Sequence, residues 1–190
     1  VIGGIDFLRK VVRNEDIDLG KNVAIVGGGN TAMDACRTAV RLGADKVYNI
    51  YRRTKDEMPA DMIEIEEAEE EGVIFLNLTN PLEIISDENG HCRQMVLQVM
   101  ELGEPDASGR RAPVPVEGKT ETIDVDTVIL AIGQRVNAEG MNGVELTRKG
   151  GLVYDKDTYM TALPGVFAGG DCGNDKISIA VESIGDAKKS

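Results

Sequence analysis

The chain is poor in the residues on which side-chain catalysis usually rests, with one histidine and three cysteines among 190 residues. Cys36, Cys92 and Cys172 stand far apart, which excludes a C-x-x-C redox pair and a zinc site of ordinary ligand spacing. Cys36 is expected to pack inside a helix. His91 follows a turn with no acidic or nucleophilic residue at a suggestive spacing, so it reads as a surface residue, and no Ser-His-Asp triad can be assembled around it. No apolar run approaches the ~20 residues of a membrane span, and the first residues show no signal-peptide pattern. A cytoplasmic protein without a membrane partner is the expectation. Cations are scarce as well: 21 Lys and Arg against 33 Asp and Glu leave a formal charge of −12 and a pI near 4.6. That balance argues against a nucleic-acid partner or an anionic membrane surface.

What the chain does contain is a glycine turn in its proper setting. Residues 21–53 read KNVAIVGGGNTAMDACRTAVRLGADKVYNIYRR. A β-branched run at 23–26 suits a buried parallel strand, and Gly27, Gly29 and Ala32 then fill G-x-G-x-x-A at the entry to a helix. Gly27 permits the tight turn, Gly29 removes the Cβ that would keep the backbone from a pyrophosphate, and Ala32 lets helix pack on strand. Gly28, Asn30 and Thr31 complete the candidate cradle, where free N–H groups and the positive end of the helix dipole face an anion. Asn30 is expected to cap the helix. Met33, Cys36, Val40 and Leu42 supply its apolar positions, Gly43 ends it, and a second strand follows at 46–51.

The end of that second strand bears on which dinucleotide is bound. Arg52 stands 20 positions after Ala32, where an NAD-specific domain carries an acid to accept from the ribose 2′-hydroxyl. Arg52 and Arg53 instead suit a 2′-phosphate, whose oxygens match a guanidinium fork. The alternative is a solvated strand end. An adenine ligand or methyl donor on the same architecture would not call for paired arginines.

Ile5, Leu8, Val11 and Val12 predict a short amphipathic helix near the start. Residues 60–71 predict another, with Ile63, Ile65 and Ala68 as a sparse apolar stripe, a solvated acidic face and Gly72 as its stop. A third parallel strand is expected at 73–78. Residues 82–86 and 92–102 predict an antiparallel hairpin turning at Asn89-Gly90, residues 104–118 a Pro- and Gly-rich loop, and 121–125 a returning strand. The apolar run at 127–131 should rejoin the parallel sheet. Ile132, Gly133 and Gln134 then lie where a ligand crossing the carboxyl ends of the strands would pass, or in a plain turn. Residues 178–189 read as a last helix.

VGGGNTAMD, RTAVRLGA, YRR followed by Met58-Pro59-Ala60, and the acidic EEAEEEGV together resemble the NADPH-binding domain of the glutamate synthase small (β) subunit family. That family also includes flavin modules of dihydropyrimidine dehydrogenase and of ferredoxin-coupled NADPH oxidoreductases. The resemblance takes in LAIGQ at 130–134 and PGVFAGGDC at 164–172 and is weakest over 87–121. It implies an α/β fold, a Rossmann-like parallel sheet with an antiparallel β-meander, as in the NAD(P) domain of two-dinucleotide-binding flavoproteins. On that reading residues 1–18 are a flanking strip of the FAD domain or a linker, 19–150 the NADPH-binding domain, and 151–190 a C-terminal strip of the FAD-binding domain.

The implied cofactors are NADPH and FAD, with hydride passing directly between them and no side chain serving as a catalytic acid or base. Asp171 matches the family's acid that accepts from the ribityl hydroxyls of FAD, and Gly170 lies beside it. A short strand at 166–168 would deliver them, with glycines that let the backbone approach a polyol; a plain strand and turn is the alternative. The family carries a second G-x-G-x-x-A for the ADP half of FAD. This sequence has one, so an excised piece with a partial FAD site is expected, its partners being the rest of the FAD domain and an iron–sulfur or large synthase subunit. Glutamate synthesis, ferredoxin reduction and pyrimidine reduction all stay open as the destination of the electrons, and a non-catalytic NADP(H)-binding or sensing module is the second reading.

Overall fold

A computed structural model describes residues 1–105, 109–173 and 180–190. In chain order the first part runs β1 (Ile2–Gly3), α1 (Gly4–Val12), β2 (Asn22–Val26), α2 (Asn30–Arg41), β3 (Lys46–Tyr51), α3 (Met62–Glu70), β4 (Ile74–Asn77), β5 (Thr79–Ser86), β6 (Cys92–Pro105), β7 (Arg111–Asp124) and β8 (Thr127–Leu130). Five strands form a parallel sheet in the order β1-β8-β2-β3-β4, and β5-β6-β7 form an antiparallel meander. This is the expected fold class.

The alternation along β2 explains how the layers stack. Val23 and Ile25 point to a core shared with Phe7, Met33, Cys36, Ala39 and Ile65, contributed by the three helices. Ala24 points the other way, to Ile50, Met95, Leu97, Val125 and Val128, where the meander covers the sheet. All three β2 side chains are fully buried, as a strand covered on both faces requires. Each large aliphatic side chain buried here contributes about 1.5–3 kcal/mol of transfer free energy. The chain moves outward from β2 to β3 to β4 and later returns as β8 on the other side of β2, so a topological switch point lies between β2 and β8.

Several expectations are corrected. Residues 104–105 and 111–118 are strand rather than loop: β6 runs to Pro105 and β7 starts at Arg111, in a ladder pairing Met100 with Pro115, Leu102 with Pro113, and Pro105 with Arg111. The prolines are tolerated because β7 is an edge strand, where a missing N–H can face solvent. Residues 106–108 of that stretch lie outside the described residues. The cap of α2 is Gly29, with Asn30 already helical. Helix α3 starts at Met62 behind Asp61, whose side chain accepts from Ile63 N, and Ile63 itself is 62% exposed rather than part of the apolar stripe.

The chain divides into compact units at Val1–Gly133 and Gln134–Ser190, where the sequence suggested a division after residue 150, and residues 1–18 belong to the first unit. The second unit is held by isolated bridges between Leu146 and Leu152 and between Met160 and Phe167, by stacked Tyr154 and Tyr159 rings 5.7 Å apart, and by α4 (Ala180–Lys189). The strand expected at 166–168 is reduced to the Phe167 bridge. Residues 178–179 of the expected last helix lie outside the described residues.

Candidate functional site

The three glycines after β2 differ in why they are glycine. Gly27 has φ +145°, and a Cβ there would stand 2.3 Å from the carbonyl oxygen of Ala131. A Cβ on Gly28 would stand 2.6 Å from the ring of Tyr51. Both are dictated by the chain's own packing. Gly29 has an ordinary φ of −96°, and nothing lies within 4 Å of where its Cβ would be. Nothing in the chain's own packing requires a glycine at this position.

The carbonyls of this turn are all engaged by the protein. Gly27 O accepts from Asn49 Nδ2 at 2.9 Å, Gly28 O from Ala60 N at 3.1 Å, and Gly29 O from Ala32 N at 2.8 Å and Met33 N at 3.2 Å. In a trans peptide the N–H points opposite to the C=O of the same unit. With the oxygens of 27, 28 and 29 turned to internal donors, the amides of Gly28, Gly29 and Asn30 face the other way, forming a nest of donors at the start of a 12-residue helix. The arrangement fits a pyrophosphate.

The other expected residues fall around this nest unevenly. Ala32 is fully buried and packs the helix on the sheet. Thr31 turns its methyl toward Gly4 at the start of α1, 3.4 Å from where a Cβ there would sit. Asn30 Oδ1 accepts from Asp61 N at 2.9 Å, so its side chain braces the 58–61 segment instead of capping. Across the switch point, Ala131 N donates to Val26 O at 2.8 Å, Ile132 is 71% exposed, and Gly133 has φ +107°. Gln134 begins the second unit.

The two arginines after β3 separate. Arg52 is exposed, whereas Arg53 is 4% exposed and its Nε donates to the carbonyl of Arg111 on β7 at 2.7 Å. Sequence reasoning missed Asn49, Tyr51 and the 60–61 amides as supports of the turn. The one signal available was an asparagine inside the apolar run VYNIY.

In the second unit Gly170 and Asp171 open a 3₁₀ turn, with Asp171 exposed. Gly170 N donates to Asp186 Oδ2 at 2.8 Å. A Cβ on Gly169 would meet Asp186 at 2.9 Å, one on Gly170 would meet Ser183 at 2.7 Å, and one on Gly173 would meet the Tyr154 ring. These glycines are thus explained by packing within the unit.

Elsewhere the charges are structural. Arg37 pairs with Glu64 at 2.8 Å, Glu67 at 2.6 Å and Glu71 at 2.8 Å, and Arg41 pairs with Glu71 at 2.6 Å. The acidic face of α3 is therefore partly neutralised by α2 rather than simply solvated. Hydrogen bonds from Arg41 and then Arg37 hold the Glu71 carboxyl below the usual range. Burial pushes the Cys36 thiol up to about 12, which leaves it inert. His91 is exposed, with Asp87 3.9 Å away, an acidic neighbour that its spacing had not suggested. Among the described residues no cluster of His, Cys, Asp and Glu could hold a metal ion, and no helix is long and apolar enough to cross a membrane.

A family model described as pyridine nucleotide-disulphide oxidoreductase matches residues 1–187. The NADP(+)-dependent formate dehydrogenase subunit beta of Moorella thermoacetica is 46% identical over 172 residues, 90% of this chain and 24% of that protein. The glutamate synthase (NADPH) small chain of Escherichia coli (strain K12) is 39% identical over 170 residues, 85% of this chain and 36% of that one. FprA from Mycobacterium tuberculosis, solved in complex with NADPH, has a TM-score of 0.77 at 16% identity, covering 99% of this chain and 56% of its own. That last likeness is one of fold. The chain spans about a quarter to a third of the length of these two curated relatives.

Proposed function

The chain belongs to the pyridine nucleotide-disulphide oxidoreductase family, and on that premise we propose that it is the NADP(H)-binding domain of an FAD-dependent oxidoreductase resembling the glutamate synthase small subunit. It passes hydride between NADPH and FAD, and electrons go onward to an iron–sulfur or large synthase partner. The observation that carries this reading is Gly29, a glycine that no contact or backbone angle of the chain explains, standing between Gly28 and Asn30 at the start of α2. A pyrophosphate explains it, because a Cβ at that position would stand in its path.

When bound, the dihydronicotinamide supplies the hydride and the flavin accepts it. The residues of this chain bind and orient. The amides of Gly28, Gly29 and Asn30 hold the pyrophosphate, and Arg52, exposed at the end of β3, pairs with the 2′-phosphate. Ile132 and Gly133, across the switch point, border the path toward the nicotinamide. Asp171 accepts from hydroxyls of the FAD ribityl chain. Rate enhancement then comes from proximity and orientation, with no side chain moving a proton.

Equilibrium titration of the purified chain with NADPH and with NADH tests the proposal. NADPH is expected to bind roughly ten- to hundredfold more tightly, the value of a charge-assisted contact. Equal affinities, or no binding of either, would contradict it.

A further inference from the structure

Asn49 is fully buried in β3, between Tyr48 and Ile50 in a strand flanked by partners on both sides. Its Nδ2 donates to Gly27 O at 2.9 Å, and Cys36 Sγ lies 3.8 Å from the same nitrogen. The orientation of the amide is settled by chemistry, since a carbonyl only accepts and the atom facing it must be the donor. The other end of the side chain gains nothing: Asn49 Oδ1 has no hydrogen-bond partner among the described residues. A buried acceptor left unpaired costs stability, and an apolar side chain of similar size would avoid it. The reason for an asparagine at this position therefore lies in what its amine holds.

What it holds is the peptide between Gly27 and Gly28. Gly27 sits at φ +145°, and a peptide with glycine on both sides meets little steric resistance to turning over. Gly27 N is fixed by Ile50 O at 3.0 Å, which leaves the orientation of the following peptide to be set by its carbonyl. With that oxygen bound to Asn49 inside the core, Gly28 N–H points away from Asn49, toward the nest.

We propose that Asn49 is a positioning residue of the nucleotide site, which locks the Gly27–Gly28 peptide so that the Gly28 amide donates to the pyrophosphate. The inference rests on the nucleotide reading above. It adds that pyrophosphate affinity is set from beneath the turn by a side chain that never touches the ligand. Because NADPH and NADH share the pyrophosphate, Asn49 governs affinity for both and leaves the preference between them to Arg52.

The test compares the wild-type chain with Asn49→Leu, using NADPH, NADH and adenosine 2′-monophosphate, which carries the ribose phosphate and lacks the pyrophosphate. In the folded variant both dinucleotides are expected to weaken by a similar factor of about tenfold, with adenosine 2′-monophosphate unchanged within about twofold. Unchanged NADPH affinity in a folded variant, or an equal loss for all three ligands, would overturn the assignment. Amide exchange in the wild-type chain gives a second reading that does not depend on the variant folding. NADPH should protect Gly28 N–H and adenosine 2′-monophosphate should not; a Gly28 amide unprotected by NADPH defeats the proposal. Failure of the wild-type chain to bind NADPH at all would remove the nucleotide reading, and this inference with it.

Discussion

The Nε of Arg53 donates to the backbone carbonyl of Arg111 at 2.7 Å, tying the end of the parallel sheet to the edge strand of the meander. The bond divides the labour between two arginines that are adjacent in sequence. Arg53 is buried and bonded to the meander, while Arg52 is exposed, and the function proposed above gives the 2′-phosphate to Arg52.

Arg52→Ala is therefore expected to cut NADPH affinity roughly ten- to hundredfold with little change for NADH, since one charge-assisted contact is worth ~1.5–3 kcal/mol. Arg53→Ala should lower the thermal midpoint and weaken both nucleotides alike. Calorimetric titration beside a melting curve separates the two. A variant pair with the same profile would show that the arginines act together.

Gly29→Val should melt close to the wild-type temperature, because the position has an ordinary φ and open space around it. NADPH binding should fall below detection. Gly27→Ala should instead fail to fold stably, as its Cβ would collide with Ala131 O at a φ of +145°. Normal NADPH binding by folded Gly29→Val would place the nucleotide elsewhere.

Acid should destabilise the protein through carboxylates that are hydrogen-bonded in the fold. Asp126 Oδ2 accepts from Asn22 N and Lys21 N, each at 2.8 Å, and these bonds hold its carboxyl below the usual range. A carboxyl depressed in the folded state contributes stability above its unfolded value, and that contribution is lost as pH falls through the folded one. Glu71 acts in the same direction, and Asp34, raised by burial and by Glu64, in the opposite one. The melting temperature should hold steady down to about pH 5 and decline below about pH 4. Asp126→Asn should melt lower at neutral pH and decline less steeply in acid. An acid limb as steep as the wild type would assign the effect to other groups.

The glycines beside Asp171 are accounted for by Asp186, Ser183 and Tyr154, and the 190-residue sequence carries one G-x-G-x-x-A. Purified as this polypeptide, the protein should be colourless and should not reduce artificial dyes with NADPH, while still binding NADPH. Absorption spectroscopy and a dye-reduction assay check this. Stoichiometric FAD with dye reduction would make the polypeptide a self-sufficient flavoenzyme.

The parallel strands and the glycine turn were legible because their signals are local: a β-branched run, a turn of fixed spacing, and a helix stop at Gly43 and again at Gly72. What the sequence hid was set by partners distant along the chain. Pro113 and Pro115 suggested a loop, and only the edge position of β7 reconciles them with a strand. The acids of α3 looked solvated because Arg37 and Arg41 lie about 30 residues earlier and meet them only across the helix pair. Asn49 could be noticed as out of place, but its target, Gly27 O, 22 residues away, follows from β2 and β3 pairing in register.

The most direct test is a crystal structure of the chain with NADP(+). The pyrophosphate should lie against the amides of Gly28, Gly29 and Asn30, with the 2′-phosphate at Arg52. A nucleotide bound away from the Gly29 turn, or with its ribose phosphate directed away from Arg52, would contradict the account.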